Sequence, residues 1–292
     1  VPAVRGAFRG FWCLHPAAWS ARRHGRRRVE SAFPVLAGLL GLVLGSFYAA
    51  CAYGYIHGLP FFRPRSVCPR CGVTLRARDL VPVASWLALR GRCAACGGRI
   101  SLFYPLVESV SCLCAVLLAV RFGVSPAFWV QLALCGVLIT ASGIDARIAV
   151  LPDALTLGGA LVLCPLMVWS TALTWRDSCA GALLGFALAG GLHLFFRYVR
   201  KKTALGLGDV KLFLLLGGVC GWQGLPGICL ISSVTAASAL ILLHLRAAGN
   251  DGNGSGPSIF ARPIPFGPFL SLGAFTYLLW SGSGQFRLIL HF

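Results

Sequence analysis

Of 292 residues, 57% are hydrophobic and only 12% are charged, where an ordinary soluble domain carries about 25% charged residues. That balance excludes a water-soluble globular enzyme and predicts an all-α polytopic membrane protein. The net charge of +18 raises nucleic acid as a partner, but the basic residues sit in separate loops without aromatic interleaving or a binding motif, so no nucleic-acid partner is expected.

Residues 1–33 form a basic extension with seven arginines, five of them in ARRHGRRR (21–28). Eight apolar segments follow, at about 34–57, 103–120, 126–144, 152–173, 179–197, 209–222, 225–245 and 266–283. They predict about eight transmembrane helices, the sixth short enough to begin below the membrane surface or inside a cavity. Residues 58–102, between the first and second helices, are the one substantial soluble domain. GNDGNGSGPS (249–258) reads as a flexible loop. Lys and Arg number eight in 58–102, four in 197–202 and two in 246–265, while alternate loops hold one or none. By the positive-inside rule these basic loops face the cytoplasm. The same rule places the N-terminus outside, against its seven arginines, so the extension is either not exported or not part of the functional mature chain. A signal-peptide reading lacks a convincing A-x-A cleavage site.

Nine of the 13 cysteines lie singly in or beside apolar segments, as small buried hydrophobes do. The other four form two C-x-x-C pairs, Cys68/Cys71 and Cys93/Cys96, separated by 21 residues and each followed by glycine, Gly72 and Gly97. Tight turns of this kind let four thiolates converge tetrahedrally on zinc. A closed four-sulfur shell leaves no open position, so the expected zinc is structural, folding a loop with too little core of its own. A redox role for one pair would leave the other unexplained and lacks a thioredoxin-like βαβ setting.

Only eight acidic residues are present, and four of them, Glu108, Asp145, Asp153 and Asp209, lie within or at the ends of apolar segments. An ionisable group there is a candidate functional residue. Asp145 closes the third segment and Asp209 opens the sixth in GLGDVKL, so both fall at the same membrane boundary although 64 positions apart. Two carboxylates brought together do not both ionise easily; one keeps its proton while the other acts as base. That is the chemistry of an aspartic protease. Gly206 and Gly208 would give a substrate backbone close access to Asp209, and Lys211 lies on another helical face. More ordinary roles exist for each: Asp153 after Pro152 as a helix cap, Asp209 as an N-terminal helix charge, Asp145 as a boundary charge, and Glu108 paired with a basic loop residue or another polar group.

Taken in order, five blocks resemble the type IV prepilin peptidases, bacterial membrane aspartic proteases of the GxGD type. They are GSF (45–47), the cysteine block ending in FYPLVE (68–108), ID…LPDALTL (144–157), GLGDVKL (206–212) and IPFGPFLSLG (264–273). The resemblance implies that Asp145 and Asp209 are the catalytic pair, supported by Gly206, Gly208, Lys211 and Asp153. It implies a zinc-binding cytoplasmic domain at 58–102 and a membrane-embedded protease domain at 103–292, in the bacterial inner membrane. It also implies prepilin or pseudopilin substrates of type IV pili or type II secretion, cut on the cytoplasmic face after a Gly that follows a short basic leader. Many members then methylate the new N-terminus with S-adenosylmethionine. The sequence departs from the family after GSF, where a Leu-Asn pair and a later Arg are usual and Ala49 and Gly54 stand instead. It departs again at Thr203, where an acidic residue is common. The first departure bears on methylation more than on cleavage. The competing classes are a transporter or channel using intramembrane carboxylates, and a zinc-dependent membrane scaffold.

Overall fold

The computed structural model describes residues 16–59, 66–68, 70–199, 206–250 and 265–281, without the side chains of 16–31 and 246–250. The first 15 residues, Thr203, Asp251 and most of the Gly/Ser/Asn-rich stretch lie outside the described residues. Nine α-helices are present among them: α1 Pro16–Ile56, α2 Ala84–Ala88, α3 Phe103–Phe122, α4 Pro126–Ile148, α5 Asp153–Ser170, α6 Trp175–Val199, α7 Leu207–Cys220, α8 Leu225–Asn250 and α9 Gly267–Ser281. Pairing outside helices is limited, among the described residues, to two isolated bridges, Val67 with Thr74 and Arg92 with Arg99. The protein is an all-α membrane protein, with a polar unit between its first and second long helices.

Every helix except α2 lies on one of the eight expected apolar segments. Six are long and apolar enough to cross a membrane: Ala32–Ile56 of α1, then α3, α4, α5, α6 and the segment Trp222–Leu245 containing most of α8. The helix α1 also runs back without a break through the basic stretch to Pro16. Helices α7 and α9 have 14 and 15 residues. At 1.5 Å per residue α7 is about 21 Å long, short of a hydrocarbon core about 30 Å thick. Its environment explains how it tolerates this. Nine of its residues, from Val210 to Cys220, are buried, so α7 is enclosed by protein and not by lipid.

Local chemistry sets the helix ends. The hydroxyl of Ser125 accepts the Phe128 amide at 3.3 Å, and Pro126 follows at the first turn of α4, where its missing N–H costs nothing. At the other end of α4, Ala149 takes a left-handed conformation at φ 52°, and its amide donates to the Asp145 carbonyl at 2.9 Å. The chain then turns within 149–152 and enters α5 at Asp153.

Packing divides into two apolar clusters. One joins α1, α3 and α4 through Ala37, Leu118, Phe128 and Leu132. The other surrounds α7 with residues of α4, α5, α6, α8 and α9, including Leu134, Leu163, Leu215, Ile228 and Leu270. Helices α6 and α7 approach through Gly181 and Gly217: a Cβ on either would collide with the other's backbone, so only glycine allows this spacing. The outer faces carry exposed apolar side chains such as Leu161, Leu183, Leu188 and Leu230, the surface expected against lipid.

Candidate active site

Asp145 lies in the last turn of α4 and is 6% exposed. Its Oδ2 accepts the backbone N–H of Gly267, the first residue of α9, at 2.9 Å. A carboxylate at a helix N-terminus meets unpaired amides and the positive end of the helix dipole, so α9 is built to hold this oxygen. One turn further along, the hydroxyl of Ser142 donates to that of Ser271 at 2.8 Å, fixing α9 against α4. A Cβ at Gly267 would stand 2.7 Å from Oδ2 and 3.1 Å from Cγ of Asp145. The position requires glycine because the backbone approaches the carboxylate too closely for any side chain.

Asp209 lies in the first turn of α7 and is half-buried. Its Oδ2 accepts the Gly206 amide at 3.3 Å. The two carboxylates are near enough for the charge of Asp145 to act on Asp209. Both sit at helix ends, Asp145 closing α4 and Asp209 opening α7, with α9 packed against both helices.

The connector 149–152 sets this junction. A Cβ on Gly208 would meet Leu151 Cβ at 2.9 Å and Cδ1 at 3.2 Å, and Leu151 is buried. Gly208 thus lets the start of α7 dock on the α4–α5 connector. Gly206 has an ordinary φ of −70° and contributes its amide to Asp209. Asp153 makes no side-chain cap at the start of α5, so its ordinary reading as a helix cap does not hold. Its carboxylate instead pairs with Lys211 Nζ, tying α5 to α7 beside the site. Gly267 and Leu151 are the positions to which the sequence assigned no role. The Gly-Pro pair opening the last apolar run was the available signal for the first.

Glu108 is buried near the start of α3 and accepts the Val83 amide at 2.7 Å on Oε2. Its partner is thus backbone rather than a basic loop residue. Val83 immediately precedes α2, so this bond fastens the polar unit to the bundle.

Within that unit the four sulfurs of Cys68, Cys71, Cys93 and Cys96 lie within 4.8 Å of one another, with Cys68 and Cys96 at 3.9 Å. Tetrahedral zinc with Zn–S bonds of about 2.3 Å requires sulfurs about 3.8 Å apart, so the cluster fits such an ion. The two turns are built alike. Gly72 and Gly97 have φ of 70° and 67°, and their amides donate at 2.9 Å to the carbonyls of Cys68 and Cys93. The residue before each first cysteine bridges the residue six beyond that cysteine: Val67 with Thr74, and Arg92 with Arg99. Amides of Cys71 and Arg70 directed at the Cys68 sulfur hold its thiol down to about 6, favouring the thiolate that a metal binds.

Comparison with known proteins gives two family matches along the chain. A family model described as the bacterial peptidase A24 N-terminal domain matches residues 39–122, and one described as the type IV leader peptidase family matches residues 132–241. A prepilin leader peptidase/N-methyltransferase of Pseudomonas putida is 36% identical over 273 residues, covering 85% of this chain and 91% of the relative. A protein of the same description from Burkholderia pseudomallei (strain 1026b) is 37% identical over 217 residues, covering 74% of this chain and 67% of the relative. A type 4 prepilin-like proteins leader peptide-processing enzyme of Escherichia coli O78:H11 is 35% identical over 267 residues, covering 85% and 94%. No solved structure matches. With the two family models, the four-cysteine unit and these relatives in agreement, the chain belongs to the type IV leader peptidase family.

Proposed function

We propose that this protein is a membrane aspartic endopeptidase that removes the basic leader of type IV prepilins or pseudopilins, with Asp145 and Asp209 as its catalytic pair. The observation that carries the reading is that one carboxylate closes α4 and the other opens α7, near enough for the charge of Asp145 to act on Asp209, with Asp145 held by the start of α9. The pair holds one proton between its members. The ionised carboxylate takes a proton from a water molecule, whose oxygen attacks the carbonyl carbon of the scissile peptide bond. The protonated carboxyl donates to the carbonyl oxygen, and a proton then passes to the leaving amine as the C–N bond breaks. Gly206 and Gly267 amides orient the carboxylates, while the Gly208–Leu151 contact and the Asp153–Lys211 pair hold the start of α7 in place.

The basic loops support an orientation in the bacterial inner membrane with the cysteine unit and the aspartates towards the cytoplasm. Zinc is the ion that suits four converging thiolates, and it would crosslink the two turns without entering the cleavage chemistry. The relatives' names support a second activity, N-methylation of the newly exposed amine with S-adenosylmethionine as donor. Ala49 and Gly54 are both buried and offer that donor neither charge nor a side-chain hydrogen bond. Incubating the full chain with a prepilin peptide and S-adenosylmethionine, and reading product masses, tests both activities. Cleavage after the leader Gly is expected; an intact peptide at full enzyme loading would overturn the reading.

A further inference from the structure

The two cysteine turns share one geometry but differ in the pair flanking them. In the first the bridged residues are Val67 and Thr74; in the second they are Arg92 and Arg99. The turn itself therefore does not need arginine. Like charges directly opposite one another across a bridge are destabilising, and neither guanidinium has a carboxylate partner among the described residues. Arg90 adds a third charge next to them, held at an unfavourable φ of 50°.

These arginines surround a cleft of about 510 Å³, which Trp86, Ser101 and Leu102 also line. The cleft is braced: Trp86 Nε1 donates to the Ile100 carbonyl at 3.3 Å, and the Ile100 amide donates to the Gly91 carbonyl at 2.7 Å. Its wall at Ser101 and Leu102 directly precedes Phe103, where α3 begins its passage through the membrane. Exposed Leu102 adds an apolar border, and Arg147 reaches Ser101 Oγ at 3.4 Å from the end of α4. Clustered guanidiniums, an indole and apolar side chains beside a membrane-entry point match a charged headgroup with acyl chains below it.

We propose that this cleft binds the phosphate of an anionic phospholipid of the adjacent leaflet. The cysteine unit then has a function beyond its own folding: its second turn presents Arg92 and Arg99 to the bilayer surface and seats the unit there. The proposal rests on the membrane placement given above but not on peptide cleavage, and its test is separate from activity.

The test uses the delipidated full chain in detergent, with native mass spectrometry of added phosphatidylglycerol and phosphatidylcholine and with inorganic phosphate as competitor. Phosphatidylglycerol should be retained preferentially, and Arg92→Gln/Arg99→Gln should weaken retention about thirtyfold. Arg90→Gln alone should weaken it about fivefold, which keeps the test decisive if the double variant loses its metal. Arg76→Gln, elsewhere on the same unit, should change nothing, and phosphate should not displace the lipid. Equal retention of the two lipids would overturn the proposal. So would an equal loss with Arg76→Gln, or full displacement by phosphate, which would mean an anion site without lipid.

Discussion

Replacing Gly267 by alanine tests the contact that holds Asp145. The new methyl would lie 2.7 Å from Oδ2 and 3.3 Å from Cβ of Asp145, and a contact below 3.0 Å requires one partner to shift. Because α9 is also fixed to α4 at Ser142 and Ser271, the carboxylate is the softer partner. It would lose its 2.9 Å amide bond, worth about 1.5–3 kcal/mol for a charged acceptor, and move by an appreciable fraction of an ångström. Misplacing a reacting group by about 1 Å costs on the order of 100-fold in rate, so kcat should fall by about that factor with little change in KM. Gly273→Ala is the control, since its Cβ would instead meet Ile228 O at 2.8 Å, between α9 and α8. It should lower thermal stability by about 1–3 kcal/mol while leaving kcat near the wild-type value. Peptide cleavage and thermal unfolding of both purified variants separate the two effects. A folded Gly267→Ala protein with wild-type kcat would refute the reasoning.

Gly208→Ala should press Leu151 away from α7 and lower kcat/KM by about tenfold or more; adding Leu151→Ala removes the Cγ and Cδ1 contacts and should restore part of it, as a double-mutant kinetic comparison will show. The Asp153–Lys211 pair is 63% and 31% exposed at its two side chains, so a double-mutant cycle in thermal unfolding should give a coupling of no more than about 1 kcal/mol. Serine at any one of Cys68, Cys71, Cys93 or Cys96 should remove bound zinc, measured by metal analysis, and expose the unit to proteolysis; one equivalent of zinc retained by such a variant would count against a four-sulfur site.

The sequence made some parts of this molecule readable for simple physical reasons. Unbroken apolar runs mark helices whatever their neighbours, so the eight segments could be placed from composition alone. Carboxylates are expensive in such runs, so Asp145 and Asp209 stand out in the sequence itself. The cysteine spacing worked likewise, because thiolate convergence is local to each turn. What escaped was long-range and steric. Gly267 meets Asp145 across 122 positions, and Lys211 meets Asp153 across 58. Nothing in GLGDVKL reveals that Leu151 presses against Gly208. The two arginines of the second cysteine turn read as part of a cytoplasmic charge excess until the bridge set them opposite one another.

Cleavage of a prepilin peptide by Asp145→Asn and Asp209→Asn proteins, each confirmed as inserted and folded, tests the central claim most directly. Two groups acting as one unit should each be indispensable, so each single variant should lose at least about 1,000-fold in kcat, and the double variant should be little worse. The wild type should show a bell-shaped pH dependence whose limbs belong to the pair and not to either residue. Full processing by either single variant would contradict the account.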